Sequence, residues 1–131
     1  MTKVASFLVF ALIAFGVYVR LAPTSVARWH GPVEGEDAVF AGGVRKVIPG
    51  QSGQLSALVA IIEQEPRTRL IAGSLAEGRL TFVTRSRLWG FPDYATVEAR
   101  GVDLVIYARL RFGRSDLGVN SARVARWIGG L

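Results

Sequence analysis

The sequence predicts an α+β fold in which an N-terminal transmembrane helix is followed by a small antiparallel sheet of about four strands, with two helices packed on one face. Three observations carry this reading. Residues 4–19 are an unbroken apolar run. Two later segments, near 52–65 and 120–131, repeat apolar residues at helical spacing, and much of the chain between them alternates with the period of a strand.

The chain has 131 residues. Behind the apolar run there is room for one domain of roughly 100 residues, enough for a single modest core. The absence of cysteine excludes a disulfide framework, thiolate metal sites, thiol catalysis and lipid attachment through sulfur. Charge is strongly basic, 16 Lys+Arg against 10 Asp+Glu, and only Lys3 and Lys46 are lysine. Arginine grips carboxylates and phosphates in a planar fork, so the bias admits anionic partners as well as a merely solvated surface.

Residues 1–23 read as a transmembrane helix or signal anchor. Val4 to Ala22, at about 1.5 Å per residue, just crosses a hydrocarbon core of about 30 Å, with Arg20 snorkelling to the interface. The competing reading is a cleaved secretory signal ending at Ser25-Val26-Ala27. Both readings place the remainder on the periplasmic or lumenal side, although Lys3 and the free amine are opposed by Arg20 and Arg28. Residues 24–43, rich in Gly, Pro and charge, read as a tether. Within it Trp29 has the look of an interfacial anchor and His30 that of an exposed loop residue.

Residues 44–131 read as the folded domain. Val44 to Ile48 could form a short strand. Ser52 is placed as the N-cap of a helix whose stripe is Leu55, Leu58, Val59 and Ile62, and Pro66 stops it. Thr68 to Gly73 is a first strand. Leu80 to Leu88 alternates, with Leu80, Phe82, Thr84, Ser86 and Leu88 on the core face and Thr81, Val83, Arg85 and Arg87 opposite. Ala95 to Arg100 resumes the pattern and Arg100-Gly101 turns it. In the last strand Leu104, Ile106, Ala108, Leu110 and Phe112 face inward, while Val105, Tyr107, Arg109 and Arg111 face out. Asn120 is placed as the N-cap of the closing helix, with Val119 and Val124 as its hydrophobic staple.

The run Gly113-Arg114-Ser115-Asp116-Leu117-Gly118-Val119-Asn120, followed by Arg123-Val124, and the upstream Phe91-Pro92-Asp93 resemble the C-terminal signature of the DUF1499 family, a domain of unknown function in bacterial and plastid-targeted plant proteins. The resemblance covers roughly Val44 to the C-terminus. It implies an N-terminal membrane segment or export signal, and it implies no activity. The family's usual Arg-Ser-x-Ser-Arg run before the glycine is broken here: Arg111 matches its second arginine, while Tyr107, Ala108 and Leu110 replace the first arginine and both serines.

Two constellations invite chemistry. If the strand from Leu80 and the strand ending at Phe112 are neighbours, then Arg85, Arg87, Arg109 and Arg111 share one face, with Arg114 just beyond. Like charges side by side demand counterions. Glu98, Asp93 and Asp116 could supply them internally, or a phosphate, carboxylate or anionic headgroup externally. The second constellation is Asp116, read as structural: a carboxylate in a Gly-bounded turn that accepts backbone N–H bonds and holds Arg111 or Arg123. No catalytic residue, metal site or cofactor is expected. Ser115, Asp116 and His30 lack the elbow of a hydrolase, one histidine without cysteine is too few for a metal, and an exported domain would rarely meet nucleic acid.

The function expected from these features is that of a single-span, membrane-anchored accessory protein whose domain docks on a membrane protein complex or on anionic headgroups. The alternative is a small-anion binder or enzyme using the arginine-lined face. A concave pocket among the arginines would favour the alternative, a flat face the docking.

Overall fold

The computed structural model describes Thr2 to Leu131. Helix α1 runs Thr2–Leu21, a four-residue helix α2 Val26–Trp29, α3 Leu55–Glu63 and α4 Val119–Gly129. Six strands, β1 (Ala38–Phe40), β2 (Gly43–Ile48), β3 (Thr68–Ser74), β4 (Arg79–Arg85), β5 (Pro92–Arg100) and β6 (Asp103–Leu110), form one antiparallel sheet in the order β1-β2-β6-β5-β4-β3. The expected four strands are therefore six. β2 returns to pair with β6, Val44 opposite Ala108, and β1 comes from the segment read as a tether.

One face of the sheet carries the core. Val44, Leu80, Phe82, Ala95, Val97, Leu104, Ile106 and Ala108 are buried against Leu55, Leu58, Val59 and Ile62 of α3 and Val124 and Trp127 of α4. The helical stripes and strand alternation specify this layer directly, because both periodicities deliver their apolar residues to one side. Glu65 fastens it by accepting from the Trp127 indole at 3.0 Å and from Arg126 at 2.7 Å.

Three local expectations are corrected. A 3-10 turn, Ser52–Gln54, precedes α3, and neither Ser52 nor Gln54 caps that helix through its side chain. Gly118, with a left-handed backbone, precedes α4, and the capping oxygens belong to Asp116: its carboxylate accepts from the Gly118 and Asn120 amides at 2.9 and 3.1 Å. Leu88, expected in the core, is 77% exposed because β4 ends at Arg85 and residues 86–89 turn outward.

The second face is not bare. Residues 22–36, the first two from the end of the expected helix and the rest from the expected tether, lie across it as a strap. Trp29, expected at a membrane interface, is 7% exposed and stacks on Tyr94 of β5 with centroids 4.1 Å apart. His30, expected to be exposed, is half-buried, its ring nitrogens bonding the Thr81 hydroxyl at 2.8 Å and the Glu77 carboxylate at 2.7 Å. A left-handed Gly73, just past a bulge between Leu70 and Ala72, makes room for it, since a Cβ there would come within 2.8 Å of the imidazole and would collide with the Arg79 carbonyl.

Candidate functional site

The strap is held by the polar residues of the second face, and their demands explain most of what sits there. Thr96 and Arg109 both donate to the Trp29 carbonyl, at 3.1 and 2.6 Å. Glu98 accepts the Val33 amide at 2.9 Å and pairs with Arg79 of β4. Arg100 donates to the carbonyls of Val33 and Gly35 at 3.0 and 2.9 Å. Among the described residues no buried side-chain polar atom lacks a partner, as the low dielectric of such a layer demands.

Arg109 belongs to this layer. Its guanidinium lies over the Trp29 and Tyr107 rings at 5.3 and 4.5 Å and also bonds the Thr96 hydroxyl. Burial brings its pKa down to about 10, still a cation at neutral pH. β5 stands between β4 and β6, and Tyr94 pairs with Val83 on one side and Arg109 on the other. Arg85 is opposite Pro92 instead, so β4 and β6 are not the neighbours that a shared arginine pair required, and Arg85 and Arg109 stand apart across β5. Arg111 reaches the Tyr94 hydroxyl at 3.3 Å and lies over Phe112. Arg114 is exposed on the signature loop.

Arg85 and Arg87 join a different group. At the end of the sheet where β3 and β4 meet α1, a cleft of about 390 Å³ is lined by Arg20, Arg67, Arg69, Arg85 and Arg87 with Thr68, Ser86, Val83 and Gly90. No carboxylate lines it, and none of the five arginines forms an ion pair among the described residues. Carbonyls position three of them. Arg20 donates to Leu88 at 2.9 Å, Arg67 to Arg85 at 3.0 Å, and Arg85 to Gly90 at 2.9 Å and Val19 at 3.3 Å. Arg67 holds a left-handed backbone, φ 55°, an uncommon posture for a residue with a side chain. Five uncompensated cations around one concavity create a strong positive potential suited to a phosphate or carboxylate.

A second cavity, of about 580 Å³, adjoins the cleft and shares Arg67, Arg85 and Ser86 with it. Its walls are Phe15 of α1, Phe91, Leu110, Phe112 and Val119, and its floor is the signature: Asp93, Gly113, Ser115, Asp116 and Arg123. Buried Asn120 ties this floor together by donating to Asp93 at 3.2 Å and accepting from Arg123 at 2.9 Å. Arg123 lies 3.5 Å from the Asp93 carboxylate. Burial pushes the Asp93 carboxyl up, against the pull of Arg123 and the Asn120 amide. Pro92 is buried opposite Arg85. The Ser115 hydroxyl accepts the Leu117 amide at 3.2 Å, in a turn where Leu117 and Gly118 both have positive φ.

The apolar helix closes both concavities. The Phe15 ring lies 6.1 and 6.5 Å from those of Phe91 and Phe112, Tyr18 lies 6.1 Å from Phe112, and Trp89 sits against Gly16. Val19 is fully buried. Arg20, Arg67 and Arg69 escaped the sequence reading. Arg20 was accounted for by the interface, and the bulge in β3 shifts the hairpin register, so counting back from the Glu77-Gly78 turn does not set Arg67 beside Arg85. Two arginines at i and i+2, Arg67 just before β3 and Arg69 within it, were the available signal.

An α+β domain carried behind an apolar helix, with a polar strand-to-helix joint leading into α4, defines the class. The family model described as a protein of unknown function, DUF1499, matches residues 44–131, and the chain belongs to that family. No curated protein and no solved structure matches it.

Proposed function

We propose that this is a single-span, membrane-anchored accessory protein whose domain, on the periplasmic or lumenal side, engages an anionic headgroup through the arginine cleft. The observation that carries the reading is the cleft itself, five arginines without a carboxylate at the root of a helix long and apolar enough to cross a membrane or serve as a signal sequence. Arg20, at the helix end, belongs at headgroup level. By the criterion set from the sequence, the concavity moves the reading from docking by a flat charged face towards the anion-binding alternative, and the headgroup is the anion that a site at this level would take. The packing also speaks for an anchor that is kept. Cleavage after Ala27 would remove buried Val19, the Arg20–Leu88 contact and the Thr24 hydroxyl that bonds Tyr94 at 2.9 Å.

The test is native mass spectrometry of the full chain released from its membrane in mild detergent. Anionic phospholipid should be retained over zwitterionic lipid. Arg67→Gln, Arg69→Gln and Arg87→Gln combined should cut that retention by about tenfold or more, as loss of charge-assisted bonds worth at least ~1.4 kcal/mol predicts. Arg20 and Arg85 are left intact because they hold α1 to the domain. Unchanged retention would defeat the proposal, and a co-purifying protein lost with the same arginines would replace it with protein docking.

A further inference from the structure

Helix α1 has 20 residues, about 30 Å at 1.5 Å per residue, which is the thickness of the hydrocarbon core it would cross. It has no length to spare, yet its last two turns are already occupied. Phe15 lies six residues before Leu21, about 9 Å down the axis, and it is Phe15, Gly16 and Tyr18 that meet Phe91, Trp89 and Phe112. A domain packed at that depth dips its rim into the outer part of the bilayer. The exposed Leu88, at 77%, and the half-buried Phe91 and Phe112 suit such a position.

The signature cavity then lies at the level of lipid, not of water. Its charges are largely spoken for: Asp93 with Arg123 and Asn120, and Asp116 with two backbone amides. What it still offers is apolar wall, with Phe15 extending that wall along the helix, and a rim of Arg67, Arg85 and Ser86 that continues into the arginine cleft. A volume of about 580 Å³ falls in the range of small-molecule sites.

We infer that the two concavities are one site for a single anionic phospholipid, its phosphate on the arginines of the cleft and one acyl chain drawn into the signature cavity. The inference rests on the headgroup reading and adds the chain. The paired floor positions the loop, the aromatic walls receive the chain, and the shared rim marks where the polar head gives way to the glycerol.

The full chain is reconstituted in nanodiscs of phosphatidylcholine containing a small fraction of phosphatidylglycerol with a photoactivatable diazirine in one acyl chain. After irradiation, labelled peptides are mapped. The expected result is labelling of the segments holding Phe91, Phe112 and Val119, about tenfold above that given by phosphatidylcholine carrying the same diazirine. Val119→Trp, which narrows the cavity, should abolish this labelling while native mass spectrometry still shows anionic lipid retained and thermal denaturation shows the fold intact. Should Val119→Trp unfold, Ser115→Trp narrows the same cavity from the exposed loop. Label confined to α1, with anionic lipid still preferentially retained, would overturn the acyl-chain site and leave the headgroup reading standing. Equal labelling by both lipids would also overturn it. Loss of all anionic preference would overturn both.

Discussion

The two faces of the sheet are held by different physics. On one, α3 and α4 bury an apolar layer in which Trp127 and Leu58 are 1% and 0% exposed, a contact driven by area and indifferent to direction. On the other, the strap is fixed by directional bonds from Thr81, Thr96, Glu98, Arg100 and Arg109 to its backbone and to His30, with one aromatic stack at the centre. The first face keeps the domain folded. The second sets where α1 leaves it, and so what shape the arginine cleft has.

The sharpest way to break this contrast is to damage each layer in turn. Trp127→Ala should cost about 3–5 kcal/mol through the cavity it leaves, lowering the urea midpoint of the whole domain. Trp29→Ala should cost less, about 1–3 kcal/mol, and locally: hydrogen exchange should show the amides of residues 22–36 opening while β5 and β6 stay protected. Equal, global loss in both variants would mean the strap is part of the cooperative core. The smallest effect concerns pH. Because burial raises the folded pKa of Asp93 above its ordinary 3.8, its contribution to stability is complete below that ordinary value and is lost as pH rises through the raised one. Urea titrations from acid to neutral pH should therefore show the stability of the natural chain falling relative to that of Asp93→Asn as pH rises through the raised value, and a difference that does not change with pH would place Asp93 outside the balance.

Legibility follows the same division. Periodicity is a record of apolar contact, so the stripe Leu55, Leu58, Val59, Ile62 and the alternation from Leu104 to Ala108 were readable, as was the closing helix that buries Val124 and Trp127. A hydrogen-bonded strap leaves no such record. Trp29, His30 and Val33 show no repeat, and only their partners, scattered from Glu77 to Arg109, reveal their role. The arginines illustrate the gap. Alternation put Arg85 and Arg109 on one face, as found, but it could not tell that one would be consumed by the Trp29 carbonyl while the other joined Arg20 and Arg67, because that depends on which strand lies between and on a bulge in β3. The signature was legible as a joint, and Asp116 accepts backbone amides there, yet its capping duty displaced Asn120, which turns inward to Asp93 and Arg123 instead.

Four residues, Ala22 to Ser25, separate α1 from α2, and both ends are docked on the sheet. A free chain of that length could extend about 14 Å, but Ala22 is buried and Thr24 is bonded to Tyr94, so the leash has no slack. A domain on a loose linker sweeps a hemisphere and meets partners by reaching for them. A domain planted as this one is moves only with its helix, and anything it binds must come to the end of that helix.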